Sequence, residues 1–271
     1  MSFRVVVTAR EVPNEPTTGH IGIAAVTAEG AALVYRRICA TSGQRLGEHH
    51  HPEITLHTHS FAKHVYAGPD RTAVWAQLML ASATKLHSAG AHFMICPSNT
   101  PHEVYDRVSD QLPLPWLHIA AVVRDHAQAL ALRRLLLLGT RHTVESTFYD
   151  GQFLGSGIAL RRPAAAESVK IHDIVRDELV HGVVTLDSRD YVWSVIQRHL
   201  ADGVDGVILG CTELPLLVSD PPDFLCPPIL DSATLLADAA VDRALQATAY
   251  RYLKDPLSRF PPAPPSAPIA T

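Results

Sequence analysis

Short apolar runs separated by helical patterns constrain this chain more than any other feature of it. The runs 19–25, 53–58, 92–96, 116–119, 135–139, 157–160 and 206–210 have the length and hydrophobicity of strands. Helical patterns begin near Gly30, Thr72, Val122, Ser146, Ala166, Ser188 and Thr234. The one starting at Thr72 sets Trp75, Leu78, Met79, Ser82 and Leu86 at i, i+3, i+4 spacing, which predicts one buried face. The one at Ser188 does the same with Val192, Val195, Ile196 and Leu200. Strands joined through helices of this length run parallel and cross over right-handed. The expected class is therefore α/β, with ligands binding beyond the carboxyl ends of the strands.

Composition narrows the function classes. With 47% hydrophobic and 18% charged residues over 271 positions, the chain has ample material for a core and is not disordered as a whole. A formal charge of −4 and the lack of a long basic run argue against a nucleic-acid surface. Cys39, Cys96, Cys211 and Cys226 form no C-x-x-C pair, so neither a zinc ribbon nor a dithiol motif is indicated. The run His49-His50-His51 lacks acidic or Cys partners at ligand spacing and reads as a solvated loop; no metal site is expected. No G-x-G-x-x-G follows a strand, no P-loop is present and no Lys sits in an obvious pyridoxal-phosphate setting, so no cofactor is expected. No stretch approaches the roughly 18 apolar residues of a membrane span, and the N-terminal apolar run is too short for a signal peptide. The expectation is a soluble, cytoplasmic protein with free thiols. Residues 1–18, with Pro13 and Pro16, read as an N-terminal extension, and 255–271 as a Pro-rich disordered tail.

An internal echo points to chemistry. One unit is a helix, the turn Ser88-Ala-Gly-Ala91, the strand His92-Phe-Met-Ile-Cys96 and then Pro97-Ser98-Asn99-Thr100. The other is a helix, Ala201-Asp-Gly-Val204, the strand Asp205-Gly-Val-Ile-Leu209 and then Gly210-Cys211-Thr212-Glu213. Each ends in a small nucleophilic side chain with a Thr close behind. Two such lobes facing each other would offer one strand end each to a common cleft; helix–Gly–strand units are also common in α/β proteins generally. A thiol at a strand end, as at Cys211, is a competent base or nucleophile when backbone N–H groups lower its pKa, and a small buried hydrophobe otherwise. Ser98-Asn99-Thr100 either holds a carboxylate or forms a turn. Cys96 points the same way as Ser98 but lies deeper, where packing is its expected role. The segment from Gly139 to Ser146 reads as strand end, polar turn and helix start, suited to an anion or to Thr143 acting as a helix cap.

These residues resemble the aspartate/glutamate racemase family, the pyridoxal-phosphate-independent amino-acid racemases. The most specific piece is Val207-Ile-Leu-Gly-Cys-Thr-Glu-Leu-Pro-Leu-Leu217. It is supported by Ser98-Asn-Thr-Pro-His102, by Leu138-Gly-Thr-Arg-His-Thr143 with Phe148-Tyr149, by Asp177-Glu-Leu-Val-His-Gly182 and by Pro227-Pro-Ile-Leu-Asp231. His57-Thr58, Pro115-Trp116-Leu117-His118-Ile119-Ala120 and Gly139-Thr140-Arg141 are similar to the branch acting on L-aspartate and L-glutamate and to broad-specificity racemases.

The resemblance implies two pseudo-symmetric lobes, each a parallel sheet flanked by helices, with the active site between them. Residues 19–119 plus 227–254 would form lobe 1 and 120–226 lobe 2. It implies a cofactor-independent racemase or epimerase acting on an amino acid such as aspartate or glutamate, with a homodimer as a common assembly. Cα proton abstraction and return would run between Cys211 and the Ser98 position, where family members usually carry a second Cys and the branch named above can carry Thr. Asn99, Thr100, Thr143 and Thr212 would bind the substrate, with Thr27 in the loop after the first strand; Glu213, His102 and His118 would support the acid and base. Two departures bear on substrate placement. The family's Gly-Gly-Met loop reads Ala24-Ala25-Val26-Thr27 here. Where some aspartate-specific members use Arg and Lys, this chain has His57, His59, Lys63 and His64, and then Val180-His181. A one-thiol decarboxylase or cis–trans isomerase of small dicarboxylic acids is the rival enzyme reading, and a non-catalytic ligand-binding protein the rival from another class.

Overall fold

The computed structural model describes residues 18–219 and 227–254. The first lobe contains β1 (Ile21–Ala25), α1 (Ala28–Leu46), β2 (Ile54–Thr58), α2 (Ala62–Val65), α3 (Arg71–Ser88), β3 (Phe93–Ile95), α4 (Tyr105–Val108) and β4 (Trp116–Leu117). Its four strands are all parallel, in the order β2-β1-β3-β4. Then α5 (Ile119–Ala129) leads into β5 (Arg134–Leu138), α6 (Arg141–Glu145), α7 (Phe148–Phe153), β6 (Ala159–Arg161), α8 (Ala165–Asp177), α9 (Leu186–Ala201), β7 (Gly206–Leu209), α10 (Pro215–Val218), β8 (Ile229–Asp231) and α11 (Ser232–Lys254). The second sheet is parallel too, in the order β6-β5-β7-β8. Both sheets thus follow one plan: the first strand of each lobe has the second on one side and the third on the other.

The central strands are apolar because both of their faces are covered. All five residues of β1, all four of β7 and four of the five in β5 are buried. On α3 the predicted face holds: Trp75, Leu78, Met79, Ser82 and Leu86 are all buried. On α9, Val192, Val195 and Ile196 are buried while Leu200 packs at the edge of the core.

The expected lobe boundary needs a correction. The stretch 227–254 does not belong to lobe 1 as a unit, since β8 pairs with β7 and extends lobe 2. Only α11 returns to lobe 1, where Leu236, Ala237, Ala240, Val241 and Ala244 pack with Ile21, Val34 and Ile38. The chain changes lobe at Asp231, whose carboxylate accepts from the Ala233 N–H and the Thr234 hydroxyl and so starts α11 with no intervening turn. Arg37 fixes the helix to α1 through two hydrogen bonds to Asp238, at 2.8 and 2.7 Å. Helix α5 joins the lobes: Ile119 and Val122 face the core beneath α11, while Ala120, Val123 and Ala127 pack on Leu135 and Leu137.

The fourth strand ends at Leu117, short of the expected 119, because His118 caps α5. In the histidine run, the His50 and His51 rings bond main-chain carbonyls of Glu48 and Pro52. No described helix is long and apolar enough to cross a membrane. The expected N-terminal extension up to Thr17, the Pro-rich tail and 220–226, with Cys226, lie outside the described residues.

Candidate active site

In each lobe the strand order turns around between the first and third strands, so the loops leaving their carboxyl ends diverge and leave a crevice. In lobe 1 those loops carry Thr27 after β1 and Ser98 after β3; in lobe 2 they carry Thr140 after β5 and Cys211 after β7. The two crevices share one cleft of about 530 Å³, which Thr27, Ser98, Asn99, Thr100, Thr143, Cys211, Thr212 and Glu213 all line. The approach is close at Gly30. A β-carbon built there would lie 2.9 Å from Thr27 Oγ1, 3.5 Å from Thr212 Cγ2 and 3.6 Å from the Pro97 carbonyl. Loops from both lobes therefore converge on one glycine.

On the lobe 2 side Cys211 and Glu213 form a hydrogen-bonded pair. Glu213 Oε2 accepts from Cys211 Sγ at 2.9 Å and from the Thr212 hydroxyl at 2.8 Å. Burial pushes the Cys211 pKa well up, and the Glu213 charge and hydrogen bond raise it further. The resting group at neutral pH is thus a thiol with a carboxylate in place to take its proton. This differs from the expectation of a thiol acidified by backbone N–H groups: those of Glu213 and Leu214 do oppose the rise, but burial and the carboxylate outweigh them.

On the lobe 1 side Ser98 is half-buried, and its hydroxyl has no hydrogen bond among the described residues. Cys96 is packing, as expected: it is fully buried, its thiol is pushed up to about 12 by burial, and among the described residues that thiol's one hydrogen bond is to the Ser98 carbonyl at 3.7 Å. Asn99 is more committed than a free donor. Its Nδ2 donates to Ser232 Oγ at 2.9 Å, its Oδ1 accepts from the Tyr149 hydroxyl at 2.8 Å, and Ser232 donates on to the Leu209 carbonyl. This chain ties the β3 loop to the end of β7 and leaves Asn99 one amide hydrogen for a ligand.

Thr143 is not a helix cap; Thr140 occupies that position and Thr143 lies one turn inside, 1% exposed, with its hydroxyl 3.4 Å from that of Thr140. Two strand-end glycines make room for it. A β-carbon on Gly139 would come within 3.1 Å of Thr143 Cβ, and one on Gly210 within 2.9 Å of Thr143 Cγ2 and 3.1 Å of the Leu138 carbonyl. Gly210→Ala must displace Thr143 or the backbone beside Cys211. We expect a stability loss of about 1–3 kcal/mol together with strongly reduced turnover; urea denaturation and an activity assay on the same preparation check both.

Two expected supporting residues lie elsewhere. His102 donates through Nε2 to the Cys96 carbonyl at 3.1 Å and packs among Trp116, His118 and Phe148. His118 accepts the Ala120 N–H on Nδ1 at 3.2 Å as the cap of α5, and its pKa is lowered to about 4 by burial and then by Arg124. Neither imidazole is bonded to Ser98, and both line a neighbouring cavity rather than the cleft. Sequence reasoning in turn marked the turn from Gly139 to Ser146 for an anion without singling out Thr140 and His142, and it missed Arg71. Arg71 Nη1 meets His142 Nδ1 at 3.2 Å, a link from α3 to α6 across the lobes. Thr140 and His142 had a signal, the polar turn directly after an apolar strand; Arg71 had none, being 71 positions from the His142 it meets.

The comparisons agree with this geometry. The Asp/Glu/Hydantoin racemase family matches residues 23–240. The broad-specificity amino-acid racemase RacX of Bacillus subtilis (strain 168) is 24% identical over 174 residues, covering 62% of this chain and 71% of that protein. A structure of a candidate Asp/Glu racemase from Yersinia pestis superposes with a TM-score of 0.76 at 33% identity, covering 84% of this chain and 100% of the other. An aspartate racemase homologue from Pyrococcus horikoshii OT3 gives 0.73 at 27% identity, covering 82% and 97%. This chain, with its two parallel sheets around a cleft bearing a thiol and a hydroxyl at matched strand ends, belongs to the Asp/Glu/Hydantoin racemase family and is an isomerase.

Proposed function

We propose that the protein racemises or epimerises an amino acid by moving its Cα proton between Cys211 on one face and Ser98 on the other. The observation that carries this reading is the pairing of these two groups at corresponding strand ends on either side of one cleft. Thr100, Thr140 and Thr143, with Thr27 and the remaining Asn99 N–H, supply hydrogen-bond donors for the substrate α-carboxylate, while the Thr212 oxygen, whose proton goes to Glu213, accepts from the substrate ammonium. Those donors stabilise the charge that develops on that carboxylate as Cα loses its proton.

Glu213 takes the proton of Cys211 Sγ and becomes a carboxylic acid. The thiolate removes the Cα proton and leaves a planar carbanion whose charge lies on the carboxylate oxygens. The Ser98 hydroxyl gives its proton to the opposite face; the resulting alkoxide takes a proton from solvent and Glu213 gives its proton to solvent, which restores the resting thiol, carboxylate and hydroxyl. In the reverse direction Ser98 is the weaker base, because no described side chain accepts its proton. Proton abstraction from the Ser98 face is therefore the slower of the two directions.

Chiral chromatography of single enantiomers incubated with Ser98 variants tests this. Ser98→Ala is expected to cut inversion by about 10²–10⁴-fold while Cα–H exchange with retention persists at Cys211. Ser98→Cys is expected to raise inversion, since a thiol gives and takes a proton far more readily than a hydroxyl near neutral pH. Inversion by Ser98→Ala at the wild-type rate would remove Ser98 from the mechanism, whereas exchange with retention only in the wild type would leave Cys211 acting from one face alone, the chemistry of a one-thiol decarboxylase or isomerase of small dicarboxylic acids.

A further inference from the structure

The cleft lining divides by chemistry. Beside the hydroxyl-rich part around Cys211 and Ser98, it is apolar: Phe61, Val65, Ala67, Trp75, Val175 and Val180. Three of these side chains are bare. Phe61 is 51%, Val65 55% and Val180 54% exposed, and none belongs to a described core cluster. Phe61 and Val65 come from the start and end of α2 in lobe 1, and Val180 from the turn Leu179–His181 of lobe 2. Large apolar side chains left open inside a ligand cleft, and supplied from both of its sides, mark a surface whose partner is the ligand.

The carboxylate and the guanidinium in the same cleft already have partners; the other ionisable side chains in its lining are His64, His142, His172 and the thiol of Cys211. Glu213 holds Cys211 and Thr212. Arg71 has a counter-ion in Glu103 at 3.8 Å, bonds His142 and lies 5.5 Å from the Trp75 ring centroid. His64 is 6% exposed, and burial lowers its pKa, so it adds no positive charge at neutral pH. Lys63, adjacent in sequence, is not part of the lining. A substrate side-chain carboxylate would have to compete with Glu103 for Arg71 and leave Phe61, Val65 and Val180 facing water.

We infer that the side chain of the substrate is apolar, aliphatic or aromatic, and sits against Phe61 and Val65 of one lobe and Val180 of the other. This inference rests on the racemase reading and names its substrate class: leucine-, methionine- or phenylalanine-like amino acids ahead of aspartate and glutamate.

The test compares wild type and Val180→Lys on L-leucine, L-phenylalanine, L-aspartate and L-glutamate, following Cα–H exchange in D2O and chiral composition. Position 180 is exposed, so the variant folds; a thermal melt verifies this. Wild type is expected to show a kcat/KM about 10- to 100-fold higher for leucine or phenylalanine than for the acidic pair, and Val180→Lys to narrow that ratio at least about 10-fold. Faster turnover of aspartate or glutamate by wild type would overturn the inference while leaving the racemase reading intact, as would a ratio that Val180→Lys does not move. Exchange with none of the four would overturn both.

Discussion

Cys211→Ala lowers Cα–H exchange and inversion by about 10²–10⁴-fold while the protein melts close to the wild-type temperature. The two halves of this expectation come from different observations. Activity falls because the residue is the one thiol among the described cleft residues, and nothing else among those that Glu213 contacts can remove a carbon-bound proton: Thr212 is a much weaker acid–base group. Stability is kept because Cys211 is only partly buried against its lobe's core, and Glu213 retains the Thr212 hydroxyl as a donor when the thiol is gone. A variant with wild-type exchange would remove the thiol from the mechanism altogether.

Glu213→Gln produces two effects of opposite sense, which together separate a chemical role from a structural one. The carboxylate contributes to raising the thiol pKa through both its charge and its hydrogen bond. Replacing it with a neutral amide leaves burial in force but removes that contribution, so the thiol ionises at lower pH than in wild type. Alkylation of Cys211 by iodoacetamide, followed against pH, should therefore set in at lower pH in the variant. Turnover should nevertheless fall, by about 10²-fold or more, because no group then accepts the thiol proton. A variant that only loosened the loop would lower activity without moving the alkylation profile, and an unchanged profile would count against the Cys211–Glu213 pair.

Much of the fold is legible in the amino-acid sequence, for identifiable reasons. Leu135–Leu138 and Val207–Leu209 are continuous apolar runs because helices cover both faces of their sheet, and such runs stand out. The repeat that leads to Ser98 and Cys211 is visible because each lobe uses the same strand order, so the third strand of each ends in a similar turn. Helices α2, α4, α6 and α10 have four or five residues and are too short to show a period. Strand β8 has three, and its exchange of lobes at Asp231 leaves no trace in a hydrophobic pattern.

The site is legible in identity more than in arrangement. That Cys211, Thr212 and Glu213 stand together is plain in the chain; that one Glu213 oxygen turns back onto both neighbours depends on a loop conformation no periodicity encodes. His102 and His118 are expected beside Ser98 because they are near it in the sequence. The short 3-10 helix Thr100–Val104 instead swings His102 under β3 onto the Cys96 carbonyl, and His118 is held by its own helix. The apolar wall is the least visible part, since Phe61 and Val180 belong to different lobes and meet only through the fold.

The most direct measurement of the central claim is proton NMR in D2O on wild-type protein with single enantiomers of leucine, phenylalanine, aspartate and glutamate, followed by chiral analysis of the same samples. The two-sided mechanism predicts loss of the Cα–H signal together with appearance of the opposite enantiomer, its α-carbon deuterated. Loss of the signal with full retention of configuration would contradict a proton donor at Ser98, and an unchanged signal with every amino acid would contradict carbon-acid chemistry at Cys211.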